Sequence, residues 1–355
     1  MFFLTKINKN SIFLSYAYSI LGEVLHLIKI FLKKLSYWTI ALRVYSLPIS
    51  VMAWIIPFTY SLSNGGNIKY GFIALIGIII LHLASNLFDD TIDYLIARKK
   101  IKQGILDCFN FQEGKCYCIF NNLLSIKDYI IACIILFLTA GIIGLYFLNI
   151  YGLTLLYILI PAIILCLTYP ILGSLGFGEI IIAIIFAPLL YIGTYYVMSA
   201  SFSNIILMLS ISTGLLTVAV LHTHMLLDYK LDTKNRKITL CRICKSEQNS
   251  YILLCFFIIG AYFNIFILCN LNYLSPIFYL TYLSLPTAFT LLKVMKIHIK
   301  NPKKEIKPNI FMGDTKAIKN IEESQRNFLL KFLIVRNLLS FFTILLCISI
   351  VISRL

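Results

Sequence analysis

The chain has 355 residues, 60% of them hydrophobic and 13% charged, with a mean hydropathy of +0.89. So little polar surface excludes a soluble globular fold and points to an all-α, polytopic membrane protein. The net charge of +16 does not indicate a nucleic-acid binder, because the Lys and Arg residues sit in loops between apolar runs, where they set topology and meet anionic lipid headgroups.

Residues 1–35 mix apolar residues with basic ones such as Lys29, Lys33 and Lys34. The stretch 11–35 reads as an amphipathic helix on the membrane surface, ahead of an integral-membrane domain at 36–355. Glu23 and His26 break its apolar run, which argues against a further span. A charged start, an apolar core and a small-residue cleavage site are not found in sequence at the N-terminus, so no cleavable leader is expected. Nine apolar stretches of about 17–25 residues, the length a bilayer requires, follow near 44–62, 70–90, 128–148, 151–170, 179–199, 204–227, 250–270, 274–293 and 329–352. Pro161, Pro188 and Pro286 fall inside spans, where membrane helices tolerate them with a kink.

The loops at 91–127, 228–249 and 294–328 carry most of the cations, among them Arg98, Lys99, Lys100, Lys102, Lys230, Lys234, Lys300 and Lys304; the intervening short loops hold only Lys69. This alternation predicts a multi-pass protein of the cytoplasmic (inner) cell membrane, with the N-terminus and the basic loops in the cytoplasm and the C-terminus outside.

The first chemical signal is Ser85-Asn86-Leu87-Phe88-Asp89-Asp90-Thr91-Ile92-Asp93-Tyr94. No turn residue separates it from the preceding apolar run, so the helix is expected to continue through it. At 3.6 residues per turn, Asn86, Asp89 or Asp90, and Asp93 share a face. Each Asp at the centre of a membrane helix costs about 2.5–3.5 kcal/mol, so this cluster needs water, a cation or a partner. The second signal runs from His222 to Asp232. Asp228 and Asp232 are four residues apart and share a helix face, and Lys234, Lys237 and Thr239 follow.

Two carboxylate clusters at matching topological positions, each trailed by cations, suit a diphosphate bridged to the protein by Mg²⁺. The ion takes a few carboxylates and completes its shell with water and phosphate oxygens, and Lys and Arg neutralise the remaining charge. Asp89, Asp90, Asp93, Asp228 and Asp232 are the candidate ligands. The alternative, helix-end acids merely solvated at the interface, explains one cluster as well but two matched clusters poorly.

Other residues keep two readings. His222 and His224 are either metal ligands or an acceptor-site base, or ordinary interfacial histidines bonded to backbone. Arg43 alone reads as a snorkelling anchor, and Tyr195-Tyr196 equally as aromatic packing or as residues of the interfacial aromatic belt. Ten cysteines are scattered. The pairs Cys116/Cys118 and Cys241/Cys244 fall in cytoplasmic loops, where free thiols are expected and a four-thiolate zinc site is the alternative.

Taken together these residues resemble the UbiA superfamily of intramembrane prenyltransferases, and within it the 1,4-dihydroxy-2-naphthoate polyprenyltransferase branch. Arg43, Leu47 and Pro48 are similar to the opening of that branch's first span. Asn86, Leu87, Asp89, Asp90 and Asp93 resemble its first acidic motif, with Asp89 in place of an Asn. Asn122-Leu123-Leu124-Ser125 is similar to a Gly-Leu-Leu-Ser stretch, Tyr169 with Gly176-Phe177-Gly178-Glu179 to a Tyr and Gly-x-Gly-Glu motif, and Gly193-Thr194-Tyr195-Tyr196-Val197 to a Gly-Thr-Tyr-Tyr segment. Asp228, Asp232, Lys237, Thr239 and Leu240 resemble the second acidic motif and its sequel, with Arg236 in place of a Gly and His224 in place of an Asn.

The resemblance implies a helical bundle with a central cavity and Mg²⁺-dependent transfer of a prenyl group from polyprenyl diphosphate to an aromatic acceptor. Asp90, Asp93, Asp228 and Asp232, with Asn86 and Asp89, would hold the metal; Arg43, Tyr169, Tyr195, His224 and Lys237 would bind substrate. It implies 1,4-dihydroxy-2-naphthoate as acceptor, with 4-hydroxybenzoate, haem or a glycerol phosphate as alternatives within the superfamily. Membrane lipid is the expected surrounding, and no protein partner is indicated. From a different class, a transporter with an acidic ion site is the competing reading, although transporter acids tend to lie at mid-membrane. Soluble chain-elongating synthases share the Asp-Asp-x-x-Asp string but not nine spans.

Overall fold

The computed structural model describes residues 9–103, 116–234, 237–302, 304–316 and 323–354, and it is helical almost throughout. Among the described residues the sole β-type pairing is an isolated bridge between Leu175 and Ile238.

Helix α1 (Lys9–Ala41) is followed by Arg43 in a left-handed conformation at φ +51°, a short 3₁₀ turn (Val44–Ser46), and α2 (Leu47–Leu62). Pro48 lies in the first turn of α2, where its missing N–H leaves no bond unmade. Helix α3 (Ile68–Lys102) has 35 residues and is about 52 Å long, well beyond the ~30 Å of a hydrocarbon core. The first acidic motif is therefore helical, as expected, while residues 91–102 are helical where a loop was expected. Lys99, Lys100 and Lys102 occupy the last turn, where they complement the helix dipole.

After α4 (Tyr117–Phe120), α5 (Ile126–Tyr151) starts at a reciprocal cap: Asp128 Oδ2 accepts from the Ser125 N–H and hydroxyl at 3.0 and 2.9 Å, and Ser125 Oγ accepts from the Asp128 N–H at 3.2 Å. Then come α6 (Leu156–Ser174), α7 (Gly178–Ile184), a π turn (Ile185–Leu189) around Pro188, and α8 (Leu190–Ser199). Proline has no N–H to give the regular ladder, which accounts for the widened turn. Helices α9 (Asn204–Leu227), α10 (Tyr229–Lys234), α11 (Leu240–Ile243) and α12 (Glu247–Asn270) follow, then a 3₁₀ segment (Pro276–Ser284) leading into α13 (Leu285–Lys300), and finally α14 (Glu323–Ile352).

Among the described residues, eight helical segments are long and apolar enough to cross a membrane, against nine expected. The difference lies in one 49-residue segment at 126–174. It contains α5 and α6, of 26 and 19 residues, joined by a 3₁₀ turn that opens on Gly152 at φ +67°. Glycine enters that conformation without steric penalty, and each helix alone has bilayer length.

The chain forms two compact units, Met1–Tyr45 with Asn86–Cys133, and Ser46–Ser85 with Ile134–Leu355. In the first, the Trp38 ring lies 6.1 Å from that of Tyr129, Tyr94 packs edge-on to Phe120, and the Cys118 thiol donates to the Tyr37 carbonyl. In the second, α9 is the axis. Two-thirds (67%) of its membrane window is buried, against 11% for the segment 126–174. Its Leu209, Leu216, Val220 and Leu226 share one core with Leu254 and Ile258 of α12 and Leu338 and Phe342 of α14. Gly214 lets α9 approach the π turn closely, since a Cβ there would lie 2.6 Å from that of Ala187. Inside this apolar core, hydroxyls are paired: Tyr191 with Thr213 at 2.5 Å and Tyr262 with Ser284 at 2.6 Å. His82 is likewise held by Ser46 and Ser50.

Candidate active site

The first acidic motif belongs to the first unit and the second motif to the other. On α3, Asp89 and Asp90 are buried and Asp93 is half-buried. Arg43 faces both buried acids: its Nη1 is 3.3 Å from Asp89 Oδ2, and its Nη2 pairs with Asp90 Oδ1. The Asn86 amide donates to the Leu42 carbonyl at 3.1 Å, fixing the backbone that presents Arg43. Asp90 also accepts weakly from the Cys116 N–H, and its carbonyl accepts from the Cys116 thiol. Burial alone would lower the Arg43 pKa, but the charges of Asp90 and Asp89 outweigh it and hold the guanidinium protonated. Arg43, which in isolation reads as a lipid anchor, is thus an ion-pair partner of the acidic motif.

The second motif sits where α9 ends. Asp228 terminates the helix, its N–H donating to the His224 carbonyl at 3.1 Å, and the Asp232 N–H donates to the Asp228 carbonyl at 2.8 Å. The two acids therefore remain one turn apart, just beyond the span. His224 Nδ1 lies 3.4 Å from Asp228 Oδ2, with its ring edge-on to Phe328 and Phe332. Asp232 is 5% exposed, and Lys237 Nζ is 3.5 Å from its Oδ1. Its Oδ2 is buried without a hydrogen-bond partner. Burial raises the pKa of both carboxyls, and Lys237 opposes the rise in each.

Local structure positions Lys237: its N–H donates to the Asp232 carbonyl, Arg242 donates to its carbonyl, Thr239 caps α11, and the Leu175–Ile238 bridge ties down the next residue. Hard oxygen ligands one turn apart, one of them buried and unsatisfied, fit a small divalent cation.

The Gly-x-Gly-Glu segment packs beside this loop. Gly176 has φ +92°, a conformation that favours glycine, and a Cβ on it would lie 2.5 Å from the tip of the Ile243 side chain, which would have to shift. The half-buried Tyr169 ring lines the approach of Gly173 to Gly178. Tyr195 is placed elsewhere. It is buried on α8, its ring 5.9 Å from that of Tyr60. Its neighbour one turn away, Tyr191, bonds Thr213, which puts Tyr195 roughly 25–30 Å along α9 from Asp228. Arg236 lies outside the described residues. The nine described cysteines are free thiols. Not anticipated from spacing is the meeting of Glu179, His222 and Cys241, which come from three separate elements.

The sequence profile of the UbiA prenyltransferase family matches residues 51–313, well over half of the chain. No curated protein matches the sequence as a relative. Solved structures similar in fold include the following two. One, from work on digeranylgeranylglyceryl phosphate synthase in membranes, has a TM-score of 0.57 and 12% identity, covering 90% of this chain and 98% of its own. The other, a UbiA homologue from Archaeoglobus fulgidus bound to GPP and Mg²⁺, has a TM-score of 0.50 and 11% identity, covering 87% and 99%. With charge-bearing motifs at the ends of its apolar helices and this profile along most of its length, the chain belongs to the UbiA prenyltransferase family and is a membrane prenyltransferase.

Proposed function

We propose that this enzyme transfers a polyprenyl group from polyprenyl diphosphate to an aromatic acceptor, with Mg²⁺, and that the acceptor is 1,4-dihydroxy-2-naphthoate. The observation that carries the metal and diphosphate reading is the buried, unsatisfied Asp232 Oδ2 one turn from Asp228 and beside Lys237. Support comes from the Arg43–Asp89–Asp90 group on α3 and from the GPP and Mg²⁺ bound to the Archaeoglobus fulgidus homologue. The acceptor reading is supported by the likeness of residues 193–197 and 176–179 to the naphthoate branch.

Asp90, Asp93, Asp228 and Asp232, with Asp89 and Asn86, would hold Mg²⁺, which supplies positive charge to the diphosphate. Arg43 and Lys237 add the remaining charge that stabilises the leaving diphosphate as the C1–O bond breaks. Arg43 offers a planar, two-pronged donor suited to phosphate oxygens. The allylic cation is then attacked by an electron-rich ring carbon, and in the naphthoate case the acceptor loses its carboxylate as CO₂. The prenyl tail lies along apolar helix surface, and Tyr195, deep in the bundle, suits the wall of that path rather than the diphosphate. The acidic motifs and basic loops face the cytoplasm in this reading, and α1 lies at the lipid surface.

The test is prenyl transfer in membranes carrying the chain, with labelled polyprenyl diphosphate, Mg²⁺ and each acceptor in turn, against Asp90→Ala/Asp232→Ala. Product with naphthoate that is lost with EDTA and in the double variant supports the full reading. Product only with 4-hydroxybenzoate overturns the naphthoate and keeps attack by a ring carbon; product only with a glycerol phosphate overturns the aromatic acceptor and keeps only Mg²⁺-dependent prenyl transfer.

A further inference from the structure

Glu179 opens α7, His222 lies near the end of α9 and Cys241 is on α11, all within the second unit. None is more than 1% exposed. Their ligand atoms lie within 4.8 Å of one another, with His222 Nδ1 at 3.5 Å from Glu179 Oε1 and 3.5 Å from Cys241 Sγ. A tetrahedral metal with nitrogen and oxygen ligands at about 2.0–2.1 Å and a thiolate at about 2.3 Å needs separations of about 3.3–3.6 Å between them.

The other ring nitrogen, Nε2, is 2.9 Å from the Ser250 carbonyl oxygen. A carbonyl only accepts, so Nε2 carries a hydrogen, and Nδ1 faces Glu179 Oε1, while Cys241 Sγ stands over the ring at 3.5 Å from Nδ1 and 3.6 Å from Nε2 and would turn about its Cα–Cβ bond to reach a metal held at Nδ1. Metal-binding imidazoles are oriented in this way by a carbonyl behind them. Both Glu179 oxygens are buried without a hydrogen-bond partner, and a bare carboxylate is unfavourable where water is excluded.

A divalent cation resolves the arrangement. Carboxylate, thiolate and neutral imidazole sum with it to zero charge, which suits a buried site. The mixed sulfur and nitrogen donors select a zinc-class ion rather than Mg²⁺, which takes oxygen. We infer that Glu179, His222 and Cys241 form a buried zinc-class site, distinct from the acidic motifs, with one coordination position left for water. On binding, the Cys241 thiol proton leaves to solvent and the sulfur–metal bond forms. Cys241 lies on the short helix that follows Lys237, so the metal would pin that loop to α7 and α9 and hold Lys237 in place beside Asp232.

The experiment uses the full chain in detergent, purified through a tag free of histidine. Elemental analysis is expected to find about one zinc per chain, as a single site of three protein ligands and one water implies. Cobalt exchanged into it is expected to show a thiolate-to-metal charge-transfer band, and bound metal is expected to protect Cys241 from alkylation as read by mass spectrometry. Cys241→Ser and His222→Gln should each lower zinc affinity at least about a hundredfold, the loss expected when one of a few ligands sharing such a binding energy is removed; Cys244→Ser should retain metal and band. Wild-type chain that takes up no zinc and shows no cobalt–thiolate band overturns the site, as does metal that leaves Cys241 open to alkylation. If the variants fail to fold, the wild-type band and the alkylation pattern still decide.

Discussion

At the scale of single residues, the decisive facts concern charges kept out of water. Asp228 and Asp232 hold their protons more tightly in the native state than in the unfolded chain, because burial raises both pKa values. The stability of the metal-free protein therefore falls as pH rises from the ordinary carboxylate value of about 4 through the raised values. Mg²⁺ held by this pair would need it deprotonated, so the rise in Tm on adding Mg²⁺ should grow over that same interval and vanish below it. Asp232→Asn should flatten the dependence and lower kcat about a hundredfold or more, a loss typical of removing one electrostatic contact. A Mg²⁺ increment that ignores pH would remove Asp228 and Asp232 from the metal site. Arg43→Ala leaves Asp89 and Asp90 buried without their cation, at a cost of about 3–5 kcal/mol, while Arg43→Lys keeps the charge but not the two-pronged pairing. Thermal denaturation of the three proteins should rank them wild type, Lys, Ala.

Among the elements, α9 is the one that cannot be loosened, since it is both the most buried span and the carrier of the second motif. Gly214→Ala drives a methyl against Ala187 and should destabilise by about 1–3 kcal/mol, the usual penalty of overpacking. Gly176→Ala adds a backbone penalty of about 1–2 kcal/mol for a left-handed residue, so Ile243→Ala in the same chain should relieve the clash with Ile243 and leave the backbone part. Helix α1 behaves differently. Leu21, Leu25, Ile28, Phe31, Leu32 and Leu35 are all exposed and recur at helical spacing along one stripe. A polarity-sensitive fluorophore on a cysteine at position 31 should shift to the blue when the protein is moved into liposomes, and one at position 33 should not.

For the whole molecule, if α5 and α6 each cross, the eight apolar segments make nine crossings, and the two ends would then lie on opposite sides, because an odd number of spans reverses the chain. Glycosylation or maleimide tags at the two termini should report opposite compartments, and the same compartment would mean that α5 and α6 cross as a single element or that one segment does not cross at all. Much of this level was legible in the residue order. A run of about 20 apolar residues has no other low-energy place than a bilayer, and α9 and α12 begin and end within three residues of the expected bounds. The extension of α3 to Lys102 was not legible, because hydropathy marks where lipid ends and not where a helix does.

The sequence by itself determined that this is a helical membrane protein with two acidic motifs, because charge in lipid is costly enough to be kept only for a purpose. Tertiary structure decided the rest. It turned Arg43 from a lipid anchor into the partner of Asp89 and Asp90, put Tyr195 far along α9 from Asp228, and buried one oxygen of Asp232 without a partner. It also brought Glu179, His222 and Cys241 together from three elements. Spacing along a chain records only neighbours on one helix or turn; which helices meet is set by the packing of whole faces, where one glycine such as Gly214 is enough to choose the approach.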